Sequence, residues 1–479
     1  MENYDLIVIG SGAGMNIAAP AVNMGLKVAL IEDGPLGGTC LNRGCIPTKI
    51  MIYPADILRA TLHASKIGVI TDNIKLDFKA IMKRMHEMID DDVKGMTEGV
   101  NADDRIDFYN SIGEFIDEYT LLVDDKKIKG KRIIIASGSR PLIPNIKGLE
   151  EIGFWTSRDV FSLEEPPKTL VIVGGGYIAA EFAHFFSAVG TKVTIVGRNP
   201  RLLKNEEPEI SKLVLEKMRE YCTIYVNSEV KSAGKTGSKK FVKGRDNTTG
   251  EIITVEADEI LIAAGRRSNA DWLKPEKTGV KIDRNGWITV NEYLETSKEN
   301  IWALGDAIGH QLFRHTANAH SEVIWNNVFQ REMHNHKHKS NEHKQSIQEH
   351  AVPHAVFTYP QVASVGLTQA EAEKNQQYRV FVGKKAYRDT AKGYAIGDED
   401  GFVKIIVDGN TYQILGASIV GSYAAILLQS LVYLMNTQDR TFIPITRAQI
   451  IHPALSEVVG WAFGNLRPTS AHQSHRHHS

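Results

Sequence analysis

Two glycine-rich turns, each set between a short apolar strand and a helical stretch, constrain this chain more than anything else in it. The first, Gly10-Ser-Gly12-Ala-Gly14, follows a strand at Tyr4 to Ile9 and leads through a helix to a strand at Val28 to Ile31. The other, Gly174-Gly-Gly176, follows Leu170 to Val173 and leads through a helix reaching Val189 to a strand at Lys192 to Val196. A strand, a tight turn and a helix N-terminus bring backbone amides and the positive end of the helix dipole up to a pyrophosphate. Glu32 follows the first unit's second strand, where a carboxylate accepts hydrogen bonds from ribose hydroxyls. A lone Gly-x-Gly says little; inside this frame it predicts two dinucleotide-binding domains of Rossmann-like α/β type. The third glycine of the usual pattern is Met15 here, which predicts a helix packed slightly further from its strand. Pro20 predicts a kink in the same helix.

A chain of 479 residues exceeds one hydrophobic core and predicts two to four domains. Its formal net charge is -1 and it has no long basic tract, so no global field recruits nucleic acid. The start, Met1-Glu-Asn-Tyr-Asp, is polar, and no apolar run approaches the roughly 20 residues that span a bilayer. The most apolar helix, around Tyr423 to Leu434, is shorter and carries Gln429. These features predict a cytoplasmic protein with no membrane segment. Between the two units lie a helical pattern at Asp77 to Gly99 and a β-rich patch at Ile112 to Ile135. From Val352 strands alternate with amphipathic helices, which predicts a separate C-terminal domain. The junction His334 to His350 reads as a solvated linker; His334, His336 and His338 alternate, but no carboxylate or thiol frame makes them a metal site. The end, His472 to Ser479, reads as a disordered tail.

The chain has 3 cysteines, Cys40, Cys45 and Cys222, too few for a secreted disulfide framework. Cys222 stands alone before a strand at Thr223 to Val226 and reads as a small buried hydrophobe. Cys40 and Cys45 lie in Gly37-Gly38-Thr39-Cys40-Leu-Asn-Arg-Gly-Cys45-Ile-Pro-Thr-Lys49. That spacing lets two sulfurs approach where a helix begins, and amides there favour the thiolate. A zinc site would need two further ligands. The pair therefore reads as redox-active rather than metal-binding or inert.

This segment resembles the active-site signature of the class I pyridine nucleotide-disulfide oxidoreductases, a family that includes glutathione reductase, dihydrolipoyl dehydrogenase, mercuric reductase and mycothione reductase. Further matches follow in the family's order: Ala136-Ser137-Gly138-Ser-Arg-Pro141, Gly174-Gly-Gly176-Tyr-Ile178-Ala-Ala-Glu181, Ala264-Gly265-Arg266, Ala303-Leu-Gly305-Asp306 and Ile451-His452-Pro-Ala-Leu-Ser-Glu457. The resemblance implies an FAD- and NAD(P)-dependent flavoprotein. Asp306 resembles the aspartate on the FAD ribitol. Cys45 resembles the thiol nearest the flavin, and Cys40 the interchange thiol that attacks the substrate. Lys49 and Glu181 resemble the ion pair beside the flavin. His452 and Glu457 resemble the acid–base pair that the second subunit of a homodimer supplies, since a departing thiolate needs a proton and imidazole titrates near neutrality. Gly10, Gly12, Gly14, Glu32, Gly38, Thr39, Ser137, Gly138, Gly174, Gly176, Ile178, Gly265, Arg266, Gly305 and Asp306 are the expected cofactor contacts.

The end of the second unit's strand separates the nicotinamides: NAD wants an acidic residue there, NADP cations for its 2′-phosphate. Gly197 stands where dihydrolipoyl dehydrogenases usually place glutamate, and Arg198 and Lys204 resemble the cations of NADPH-using relatives. NADPH is therefore expected over NADH. The tail after Glu457 lacks the cysteine pair of a mercuric reductase. The local texture, including Gly176-Tyr-Ile-Ala-Ala-Glu-Phe-Ala-His184-Phe-Phe-Ser-Ala and Gly265-Arg-Arg-Ser-Asn-Ala-Asp271, resembles the mycothione reductase subgroup. The alternative is a dihydrolipoyl dehydrogenase, although the further histidine usual there is Ile450. The expected architecture is an FAD domain over 1–150, an NADPH domain over 151–270, a central segment over 271–345 completing the FAD site, a C-terminal α+β dimerisation domain over 350–465, and a tail over 466–479. A small-molecule disulfide is the expected substrate.

Overall fold

The computed structural model describes residues 1–330 and 344–469. The protein is α/β, with two Rossmann-like domains and a C-terminal α+β domain. Runs of Val, Ile and Leu form the central strands, because strands covered on both faces need apolar side chains throughout. The first sheet has 7 strands in the order Ile106–Tyr109, Val28–Ile31, Glu2–Ile9, Lys126–Ile135, Thr120–Val123, Glu114–Asp117, with Ile301–Ala303 added parallel to Lys126–Ile135. That last strand comes from far downstream, so the chain returns to its first sheet after building the second. The second sheet has 5 parallel strands: Thr223–Tyr225, Lys192–Val196, Thr169–Val173, Glu259–Ile262 and Trp155–Thr156. Beside it lies a 3-stranded antiparallel sheet, Ser228–Thr236, Lys239–Asp246 and Ile252–Ala257, for which the sequence reading had no counterpart.

The two glycine turns use one device. A Cβ on Gly10, at φ 102°, would stand 2.2 Å from the carbonyl oxygen of Ala136; on Gly174, at φ 145°, it would stand 2.1 Å from that of Ala263. Each turn thus lies against the exit of the neighbouring parallel strand, which only glycine permits. The expectation of a more distant first helix is corrected here. A Cβ on Gly14 would meet the Gly10 carbonyl oxygen at 2.1 Å and Val8 at 2.7 Å. Close packing therefore persists at Gly14, and Met15 simply opens the helix Met15–Asn23, with Pro20 inside it.

The C-terminal sheet has 6 antiparallel strands, with Phe402–Asp408 and Ile414–Val420 at its centre and buried throughout. The helices Ala424–Met435 and Ser456–Gly464 pack on it through Leu428, Leu431, Val458 and Phe463. Residues 466–469 are not part of a loose tail as expected: Arg467–Pro468 pairs with Val380–Ala386 at the sheet edge, where proline's missing N–H is tolerated. The junction also differs from a free linker. Lys344 pairs with Glu295 at 2.6 Å, and Ile347 packs on the first core. His334, His336, His338 and the segment His472 to Ser479 lie outside the described residues. Cys222 is buried, as its surroundings in sequence suggested. Among the described residues no helix is long and apolar enough to cross a membrane.

Candidate active site

The chain between the first sheet and its next long helix explains how the two cysteines meet. A short helix, Gly38–Arg43, stops at Gly44, whose backbone is not helical, and the helix Cys45–His63 starts at the next residue. A Cβ on Gly44 would stand 2.8 Å from the Thr39 carbonyl oxygen, so the break closes tightly on itself. Thr48 N–H donates back to the Gly44 carbonyl at 3.1 Å. Cys40 thereby faces Cys45 across the break. Both are free thiols here, with Cys40 half-buried and Cys45 open to a cavity.

Their electrostatics differ. The hydrogen bond from the Cys40 thiol holds Cys45 down to about 7, with the Lys49 ammonium assisting against burial. The same bond, followed by burial, pushes Cys40 well above the usual thiol range. The thiolate therefore resides on Cys45, and Cys40 keeps its proton. One turn along, Lys49 Nζ donates to Glu181 Oε2 at 2.7 Å, joining the cysteine helix to the helix Tyr177–Ala188 that follows the second glycine turn. Phe357 N–H donates to the other Glu181 oxygen at 3.0 Å, and its ring lies 4.5 Å from Lys49 Nζ.

These groups share a cavity of about 650 Å³. Gly10, Gly12, Glu32, Gly38, Thr39, Ser137, Gly138, Ile178, Arg266, Gly305 and Asp306 line it with both cysteines, Lys49 and Glu181. Glu32 accepts from Ser11 N–H at 2.8 Å and from its hydroxyl at 2.7 Å. Burial raises the Glu32 carboxyl despite those bonds. Asp306 accepts from the Ser139 hydroxyl at 2.5 Å, which accepts in turn from Arg266 Nε at 2.7 Å. Two cavity residues, Ser137 and Arg43, hold buried polar atoms, Oγ and Nε, with no partner in the protein. Buried polar groups normally find partners. Orphans around a cavity lined by both the first glycine turn and the two thiols fit a dinucleotide with a redox-active end.

Gly14, Gly174, Gly176, Gly265, Arg198 and Lys204 do not line this cavity. Gly174 and Gly176 form the second turn, and Gly176 caps the helix Tyr177–Ala188 with its amides open. Gly197 lies against that turn: a Cβ there would be 3.5 Å from the Gly175 Cα. Arg198 and Lys204 are exposed beside it, and neither forms an ion pair with the described residues. His452 and Glu457 also lie away from the cavity wall. His452 Nδ1 bonds Glu457 Oε1 at 2.8 Å, which lowers the Glu457 carboxyl, and the imidazole is 67% exposed. Sequence reasoning missed several cavity residues: Arg43, Ser139, Arg158, Tyr177, Arg314 and Phe357. Burial pushes the Tyr177 phenol up to about 12. Among the described residues, no group of three or more His, Cys, Asp or Glu side chains is placed to hold a metal ion.

Comparison with known proteins agrees with this geometry. Residues 4–322 match the family model for pyridine nucleotide-disulphide oxidoreductases, and residues 352–463 match that family's dimerisation domain. The chain is 34% identical to mycothione reductase of Mycobacterium tuberculosis over 477 residues, covering 98% of this chain and 100% of that one. It is 31% identical to dihydrolipoyl dehydrogenase of Bacillus subtilis over 481 residues, covering 96% and 97% of the two chains. Among solved structures, the Cu(II) complex of the HOCl-induced flavoprotein disulfide reductase RclA from Escherichia coli superposes with a TM-score of 0.84 at 27% identity, covering 97% of this chain and 99% of that one. With the family model covering most of its length, the chain belongs to the pyridine nucleotide-disulphide oxidoreductases and is an FAD- and NAD(P)H-dependent flavoprotein oxidoreductase.

Proposed function

We propose that this protein is a homodimeric reductase of a low-molecular-weight disulfide, drawing electrons from NADPH and acting as a mycothione reductase does. The observation that carries this reading is geometric: Cys40 and Cys45 line one cavity together with Lys49 and Glu181, whose Nζ and Oε2 lie 2.7 Å apart. FAD, when bound, supplies the passage of an electron pair from nicotinamide to the Cys40–Cys45 disulfide. Ser137, Glu32, Gly38, Thr39, Arg266 and Asp306 would hold it. Lys49 and Glu181 fix each other at the cavity edge, and Cys45 keeps its negative charge near Lys49.

Cys40 needs a base, because its proton is held. We assign that base to the partner's His452, oriented through Nδ1 by Glu457 so that Nε2 is free to take and return a proton. Cys40 sulfur then attacks one sulfur of the substrate, the departing thiolate receives the proton from His452, and the Cys45 thiolate attacks Cys40 sulfur, closing the disulfide and releasing a second thiolate that takes its proton from solvent. Exposed Ile426, Tyr433, Ile451 and Trp461, in the same C-terminal domain as His452, supply apolar surface for a second copy. A helix apolar on both faces, as Ala424–Met435 is, buries the outer one in an assembly. A cytoplasmic setting suits a chain whose reactive thiols must cycle.

For NADPH, the supporting features are Gly197 in the place of an acidic residue and the unpaired Arg198 and Lys204 beside it. Rates on purified protein with NADPH and with NADH, against lipoamide and a panel of low-molecular-weight disulfides including mycothione, test the reading. Preference for NADPH and for a non-lipoyl disulfide supports it. Efficient NAD+ reduction by dihydrolipoamide would replace it with the dihydrolipoyl dehydrogenase reading.

A further inference from the structure

The helices Cys45–His63 and Tyr177–Ala188 meet through more than the Lys49–Glu181 pair. Asp56 lies on the face that carries Cys45 and Lys49, and His184 follows Glu181 by one turn. His184 is completely buried, and its Nε2 bonds Asp56 Oδ1 at 2.9 Å. Another step along, Arg59 Nη2 donates to the Ser187 hydroxyl at 2.8 Å. The contacts between the two helices therefore form a ladder of polar rungs that begins at the redox cysteines. The groups around the second rung are aromatic: Tyr359 stacks on His184 with centroids 6.4 Å apart, Tyr221 lies at 6.2 Å, and Arg59 sits 3.9 Å over the Tyr221 ring.

This rung is an expensive way to hold two helices together. His184 Nδ1 and Arg59 Nε are buried with no hydrogen-bond partner. A well-packed apolar pair would fill the space without orphaned polar atoms. What a hydrogen bond adds over apolar packing is direction and register. The rung also connects to the chemistry by a second route: Phe357 N–H holds Glu181, and Tyr359, two residues on, stacks on His184. One short segment thus touches both rungs.

We propose that Asp56 and His184 are positioning residues of the redox centre: their bond sets the register of the cysteine helix against the Glu181 helix, and so the place of Lys49 at the flavin edge. The inference rests on the reading of Lys49–Glu181 as the pair beside bound FAD. His184→Leu keeps the bulk and removes the donor. In the FAD-loaded variant, stopped-flow reduction by NADPH slows on the order of tenfold or more. Flavin content and the KM for the disulfide stay at parental values. His184→Gln, whose amide still donates to Asp56, stays within about threefold of the parent. The double variant Asp56→Leu/His184→Leu removes the carboxylate together with its partner, so it avoids the unpaired Asp56 that His184→Leu leaves and keeps a Tm near the parent's while remaining slow.

Parental reduction rates in the double variant overturn the proposal. So does equal slowing in His184→Leu and His184→Gln that tracks a loss of Tm, which is the mark of a merely structural role. Lys49→Met separates the two levels. If it slows reduction while the His184 variants do not, only the positioning role falls. If Lys49→Met also reduces at the parental rate, the reading of Lys49–Glu181 falls first.

Discussion

Replacing Cys40 by alanine isolates the interaction that makes Cys45 a thiolate. The Cys40 thiol is the largest cause holding Cys45 at about 7, ahead of the Lys49 ammonium. Without it, burial and the Glu181 charge are opposed only by Lys49 and a backbone hydrogen bond, and Cys45 moves toward the ordinary cysteine value of about 8.5. At pH 7 the thiolate fraction then falls from about half to about 3%. The sign is that of a depressed acid: the thiolate is present above its pKa and lost as pH falls through it. The assay is a pH titration of the long-wavelength absorbance that a thiolate gives against oxidised flavin, in Cys40→Ala holoenzyme and in parent reduced by two electrons. The parent loses the band as pH falls through about 7; the variant loses it at a clearly higher pH. Lys49→Met shifts the midpoint the same way by less. An unchanged midpoint in Cys40→Ala, or a larger shift from Lys49→Met, refutes the assignment of Cys40 as donor.

Mixing Cys40→Ser and His452→Ala subunits tests the shared site. Each homodimer is inactive or nearly so, while random heterodimers keep one intact site and restore about a quarter of parental turnover; no restoration places His452 and Cys40 on one chain. Arg198→Ala and Lys204→Ala, together, raise the KM for NADPH by about 10- to 100-fold and leave that for NADH unchanged. Equal losses with both nucleotides would make these cations ordinary surface charges. Asp306→Ala removes the acceptor of the Ser139 bond, and flavin binding to stripped protein weakens by about 10- to 100-fold when followed by fluorescence. Undiminished flavin affinity excludes Asp306 from the cofactor site.

Much of the scaffold was legible because its signals are local. Gly10 and Gly174 announce themselves between a Val/Ile-rich strand and a helix, and Cys40 and Cys45 lie within one short segment. What was not legible depends on distance in the chain. Phe357 enters the cavity wall from the C-terminal domain, and Arg314 from the start of the helix Arg314–Trp325, with nothing beside either in sequence to mark it. Tyr177 and Arg43 sit inside quoted motifs and could have been found there. Met15 misled because the motif assigns close packing to a fixed position, whereas the backbone needs it only where Val8 and the Gly10 carbonyl approach, which is at Gly14. The edge strand Arg467–Pro468 is too short and too proline-bound to read as a strand without its partner. The Asp56–His184 rung was hidden for the same reason as Phe357: pairing across two helices has no local signature.

The most direct measurement is differential alkylation of the purified holoprotein, read by peptide mass. On this account Cys40 and Cys45 resist labelling as isolated, because they are bonded to each other, and both become labelled after anaerobic addition of NADPH alone. Cys222 stays unlabelled throughout the native protein. Labelling of Cys40 and Cys45 that is the same before and after NADPH, in protein that carries FAD, contradicts electron flow from nicotinamide to this thiol pair.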